Sequence, residues 1–208
     1  MRAAASDFAA ELSSTLNKTV ANGVRLSAVH VPAEETAYVG VGVTKHDLAP
    51  RAGFPLLRAA GRPVIHMLVS YRLRADDERN YLMVQNSVAA LALDPEMNRE
   101  LLHVDYERDK ADNYPEAHLQ IAATSAEWEE ASPGRSLQRL HLPVGPRRFR
   151  PSLEDVIEFL VREGLTNCRE NWREVVDNGR RDFQRRQLRA AIRRFPDVAM
   201  EVLAELEG

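Results

Sequence analysis

Cysteine is almost missing from this chain, with Cys168 the only one in 208 residues. A single thiol cannot build an intramolecular disulfide framework or a cysteine-ligated metal cluster. Long apolar runs are missing too, and no stretch approaches the roughly 20 residues needed to span a bilayer as a helix. Residues 1–24 interrupt short apolar segments with Asp7, Glu11 and Lys18. They lack the basic start and continuous hydrophobic centre of a signal peptide. The expected location is the cytoplasm, with no membrane partner, and in that setting the Asn17-Lys18-Thr19 match to a glycosylation sequon has no meaning. The common enzyme signatures GxGxxG, Walker A, HExxH and GxSxG are absent. Cys168 has no histidine near it in sequence, so nothing supports a thiol nucleophile.

Hydrophobic residues make up 44% of the chain and charged residues 28%, the balance of a soluble globular protein and not of a disordered one. This length can bury a sizeable core without staples, and a single domain with a helical extension is the economical reading. The formal net charge of −3 hides a division along the chain. Residues 1–144 carry net −4, residues 145–195 net +5 and residues 196–208 net −4. A basic segment therefore lies between two acidic ones.

Periodicity gives the elements. Phe8, Leu12, Leu16 and Val20 recur at helical spacing, which predicts a helix near 7–21 ended by Gly23. Period-two alternation then takes over, first around Leu26–Val31 and Tyr38–Val43, where Gly40 and Gly42 leave room for a close neighbour. The clearest strand is 63–74, with Ile65, Met67, Val69, Tyr71 and Leu73 on one face. A second begins at Tyr81 and runs through Val84, Val88 and Leu91, with helix an alternative after Asn86. Strands at 101–108 and 118–124 read as an antiparallel hairpin, and Leu140, Leu142 and Val144 as a last short strand. Residues 126–136 read as a polar return with a Pro133-Gly134 turn.

From Ser152 the pattern is helical, with Asp155 at the capping-box position and Gly164 at the stop. A second helix spans about Asn171–Phe195, with Gly179 a point of interruption, and a final one follows Pro196. The expected fold is α+β, an antiparallel β-sheet with an N-terminal helix and a C-terminal helical segment. Residues 1–151 would form the mainly sheet core and 152–208 the helical part, packed on the same domain.

Two surfaces are candidates for function. His66, His103, His118 and His141 each lie in the phase opposite their strand's aliphatic residues, and Asp105 and Glu107 share the face of His103. If the strands align those faces, imidazoles and carboxylates gather on the less apolar side of the sheet. Such a set can exchange protons near neutrality or offer N and O ligands to a divalent metal. The bland alternative is ordinary histidines on a half-solvated face. Metal and cofactor are otherwise not expected.

His118-Leu119-Gln120-Ile121 and His141-Leu142-Pro143-Val144 resemble the two strand-borne His-hydrophobic-Ser/Thr-hydrophobic motifs of 2H phosphoesterases. That resemblance implies His118 and His141 as base and acid on a phosphoester, and the strand alternation adds His103 and Asp105 to that candidate site. Gln120 and Pro143 stand where the family has a hydroxyl to hold phosphate, and the interval between the motifs is short for it. A second stretch, Tyr114-Pro115-Glu116-Ala117-His118-Leu119-Gln120 with Leu140 to Asp155, resembles a signature of poorly characterised bacterial proteins. It spans roughly residues 100–195 and implies a bacterial origin without an activity.

The second surface is basic. Arg147, Arg148 and Arg150 precede one helix, while Arg185, Arg186, Arg189 and Arg193 fall within a sector of about 100° on the next. Leu188, Ile192 and Phe195 supply an adjacent apolar side, expected to be packed. Asp177, Asp182, Glu170 and Glu174 dilute the charge, and the acidic terminus is placed to fold back on it. Aromatic interleaving is absent apart from Trp172 and Phe183, so no base-stacking platform is indicated.

The leading expectation is an intracellular binding or interaction protein, a component of a larger bacterial assembly, that contacts a protein partner through the arginine-bearing helices. A phosphoester hydrolase or nuclease and a nucleic-acid-binding protein are the alternatives, and homo-oligomerisation is compatible with each.

Overall fold

The computed structural model describes residues 1–76, 81–109, 115–131, 139–144 and 150–207. Helix α1 (Arg2–Thr19) leads into the strands β1 (Leu26–Val31), β2 (Thr36–Val41), β3 (Phe54–Pro55), β4 (His66–Ala75), β5 (Leu82–Ala92), β6 (Glu100–Glu107) and β7 (Ala117–Ile121). A short helix α2 (Ala126–Ala131) and the two-residue strand β8 (Leu142–Pro143) come next. The chain then forms α3 (Leu153–Arg162), α4 (Trp172–Arg194) and α5 (Pro196–Glu207). All strands join one antiparallel sheet in the order β1-β2-β4-β5-β6-β7-β8, with β3 beside the start of β4. This is the α+β architecture that the alternation implied.

The register explains which side chains reach the core. Met67, Val69, Tyr71 and Leu73 of β4 stand opposite Leu91, Ala89, Ser87 and Val84 of β5. Leu102, Val104 and Tyr106 of β6 continue the same face. Between Arg72 and Leu73 the pairing shifts by one residue, so Val84 and Leu91 share a face although seven positions separate them. Residues 86–92 are strand throughout, because central pairing with β4 and β6 overrides the helical propensity of their alanines.

Helices α1, α3 and the first part of α4 cover this face. Leu16, Val20, Met67, Val69, Leu73, Leu91, Ile157, Leu160 and Val176 are almost fully buried together. Polar side chains tie the helical layer down. Asn17 brackets the Val24 backbone, donating to its carbonyl at 2.7 Å and accepting from its N–H at 2.9 Å. Thr166 donates to the Leu57 carbonyl at 2.6 Å, and the Arg169 guanidinium donates to the Asn17 carbonyl at 2.6 Å. The Asn17 amide is thus consumed inside the fold.

Several element boundaries differ from expectation. α1 begins at Arg2, because Ala5 and Ala9 extend its buried stripe toward the N-terminus. Part of the supposed polar return is α2, while Pro133 and Gly134 lie outside the described residues. The capping box of Ser152 and Asp155 is present, and Gly164 follows α3 with φ +63°. α4 runs unbroken through Gly179, whose missing side chain makes space for Glu154 of α3. That glycine is a helix-contact point.

Gly40 has a similar reason. A Cβ there would strike the Pro50 ring, where the 42–53 connection folds over the second face of the sheet. The ring is rigid and cannot yield as the tip of a flexible side chain can. We expect Gly40→Ala to lower unfolding stability by about 1–3 kcal/mol in urea titration, the usual cost of overpacking a filled site. No change would mean that Pro50 does not rest on β2.

Candidate functional site

The second face of the sheet carries the polar phase of β6 and β7, beside Val88 and Ala90 of β5. His103 and Asp105 on β6 stand opposite Gln120 and His118 on β7, and His118 in turn pairs with Pro143 on β8. The four histidines do lie off the aliphatic face, and three of them converge. His118 and His141 meet edge to face, with ring centroids 4.5 Å apart. Asp105 Oδ2 lies 3.6 Å from His103 Nε2 and 3.7 Å from His118 Nε2. His66 remains apart. Ala92 separates it from Glu100 in the pairing, which spaces those two backbones by about 10 Å.

Each ring is held by specific partners. His118 Nδ1 donates to the Pro115 carbonyl at 3.2 Å, which leaves Nε2 toward Asp105. His103 faces acceptors on both nitrogens, with Glu100 Oε1 at 2.7 Å and Gln120 Oε1 at 2.5 Å. Only the imidazolium donates to both. Burial works against its charge, but the bonds to Glu100 and Gln120 and the Asp105 carboxylate outweigh it, so His103 is held above the ordinary histidine range. Asp105 Oδ1 is buried without a hydrogen-bond partner among the described residues.

Gln120 shares the alternating phase of His118, whereas Glu100 was not singled out by alternation. Glu100 lies three residues from His103, which in a regular strand places it on the other face. A bulge at Leu101 brings it round, since Leu91 pairs with Leu102 but Ala92 with Glu100. No short-range signal marks such a bulge.

The cluster has the composition for proton transfer, with His118 buried and Asp105 partly open to solvent. The His118 side chain is only 3% exposed. Among the described residues no group of three or more histidine, cysteine or acidic side chains is arranged to hold a metal ion. The two cavities described next include none of these six residues.

The first cavity is a groove of about 960 Å³ on the helix-covered face, where the sheet extends beyond its helices. Leu73, Leu82, Val84, Ala89 and Val104 form its floor, and α1 and α4 stand beside it through Phe8, Leu12, Phe183 and Ala190. The Arg150 guanidinium lies 4.5 Å from the Tyr106 ring centroid and 5.5 Å from that of Phe183, positions that favour a cation over a π face. Burial pushes the Tyr71 phenol up, and burial likewise raises the Glu154 carboxyl. A smaller recess of about 280 Å³ lies on the second face between Pro50, Leu68 and Arg72.

The arginine-bearing helices divide at Phe183. Before it, α4 packs: Arg180 pairs with Asp155, Glu158 and Asp177. Beyond it, Arg185, Arg186, Arg189 and Arg193 are exposed. Arg186 pairs with Glu11 at 2.6 Å, and the Arg193 guanidinium lies 5.6 Å from the Tyr81 ring centroid. Arg147 and Arg148 lie outside the described residues, whereas Arg150 lines the groove.

The expected packed side of this helix is largely exposed. Leu188, Ile192 and Phe195 are 60%, 45% and 47% exposed, because α4 has passed the edge of its neighbours by that point. Nor does the acidic terminus fold back. α5 follows Phe195 directly, and none of its described side chains is buried. Val198, Met200, Val202, Leu203 and Leu206 are each about half exposed or more.

No family profile, curated protein or solved structure matches the chain. No helix among the described residues is long and apolar enough to cross a membrane.

His103 makes a pH prediction. Its folded pKa exceeds the unfolded value of about 6.5, so its contribution to stability is complete below that pH and is lost as pH rises through the folded value. Thermal unfolding of the native chain should therefore fall more steeply across this window than that of His103→Gln. Parallel pH profiles would remove the bonded imidazolium from the account.

Proposed function

We propose that the chain is a protein-interaction module whose contact surface is the limb formed by the distal half of α4 and by α5. The supporting observation is the run of large apolar side chains exposed along that limb, from Leu188 to Leu206. Contiguous apolar surface on a folded protein marks an interaction site more often than an ornament of the surface. Its flanks are charged in opposite senses. Arg185, Arg189 and Arg193 lie on α4, and Asp197, Glu201 and Glu205 on α5. Such charges orient an encounter, while the apolar side chains supply affinity.

The hydrolase reading draws support from the meeting of His118, His141 and Asp105, although the His118 side chain is only 3% exposed. The nucleic-acid reading draws on Arg185 and Arg189. It gives no role to the apolar side chains between and beyond them, which phosphate backbones do not need. A protein partner uses both sets. A role within a larger bacterial assembly in the cytoplasm is the setting we propose for it.

A photo-crosslinking residue installed at Val198 in living bacteria should give a polypeptide adduct, with none from the same residue at exposed Lys45. The adduct should disappear in the Leu203→Asp/Leu206→Asp variant, while the melting temperature stays within the small range of surface substitutions. If the limb yields no polypeptide adduct, the proposal is wrong. Duplex-DNA binding that weakens steeply with salt and is lost in Arg185→Glu/Arg189→Glu would replace it with the nucleic-acid reading.

A further inference from the structure

The groove and α5 have matching requirements. In the groove the sheet presents Leu73, Leu82, Val84, Ala89 and Val104 with no helix over them among the described residues, and α5 is an amphipathic helix whose apolar side chains are exposed. At 100° per residue, Val198, Val202, Leu206 and Leu203 fall within a stripe of about 140°, with Asp197, Glu201 and Glu205 grouped along its flank. A stripe of that width is what a helix normally turns toward a sheet. Its 12 residues extend about 18 Å.

Charge sets the pairing further. The wall that α4 contributes to the groove carries Arg186, Arg193 and Arg194 with Gln187 and Ala190, and no acid. The acids of the groove lie elsewhere, Asp7 and Glu11 on α1, Glu154 on α3, and Asp76 and Asp109 just past the ends of β4 and β6. A helix with one acidic flank therefore has a preferred way to lie, with that flank along α4. In its own chain α5 leaves from the end of that same wall, at Phe195 and Pro196, and does not enter the groove.

We infer that α5 of a second copy of this chain occupies the groove, the two copies exchanging their C-terminal helices about a twofold axis near the α4–α5 joint. Reciprocal exchange covers both exposed apolar sets at once and closes the assembly at two chains. The inference rests on the limb being a contact surface and names its partner.

The full chain with Cys168→Ser supplies the test. Sedimentation equilibrium should show a dimer at micromolar concentration, and Leu203→Asp/Leu206→Asp should make it monomeric while far-ultraviolet circular dichroism and melting temperature are retained. With Leu203→Cys and Val84→Cys together, mild oxidation should produce a covalent dimer, and neither single cysteine should produce the same species efficiently. A wild-type monomer at 100-fold higher concentration would overturn the inference, as would a disulfide formed within one chain. Dimerisation unaffected by the aspartates would overturn it as well. If the chain is monomeric and Val198 still crosslinks to a different polypeptide, only the identity of the partner is lost; with no adduct at all, the contact-surface reading goes too.

Discussion

Coverage of the sheet's apolar face is the constraint from which the rest of the structure follows, because apolar surface left in water costs about 25 cal/mol for every Å² that burial would have removed. α1, α3 and the first part of α4 shield Met67, Val69, Leu73 and Leu91 almost completely. Toward Leu82, Val84 and Val104 the same face becomes the floor of a groove. Gly179 contributes to this outcome by letting α4 approach α3 at Glu154, after which the helix continues past its support. The exposed limb and the partly covered sheet are two consequences of one geometry.

The opposite face solves a different problem. Its strands bring histidines and carboxylates close together in a partly buried setting, where polar groups are stabilised by finding partners. Glu100, Gln120 and Asp105 surround His103, and Pro115 and Asp105 hold His118. The result fixes β6, β7 and β8 relative to one another through side chains as well as backbone. Chemistry and structure make similar demands on residue type here, which is why composition alone reads as an active site.

Much of the fold was legible because its signals are local. The alternation of Met67, Val69, Tyr71 and Leu73 identified β4 and its buried face, and Ser152 with Asp155 identified the start of α3. Placement of His103, His118 and His141 on the other face followed from the same period. Their convergence did not, since it depends on pairing β6 with β7 and β7 with β8. The role of Glu100 depends on a bulge, and the passage of α4 through Gly179 depends on a neighbour 25 residues away in sequence.

By itself, the sequence determined the kinds of element, the phase of their apolar residues and the alternation of acidic, basic and acidic segments. These are properties of short stretches, set by side-chain period and backbone preference. Only the tertiary structure decided that His118 is buried, that Leu188 and Ile192 of distal α4 are exposed and that a groove lies beside that helix. Leu188, Ile192 and Phe195 have the pattern of a packed face whether or not anything lies against them. Burial is a relation between segments distant in the chain, and amphipathic spacing specifies a face without specifying what meets it.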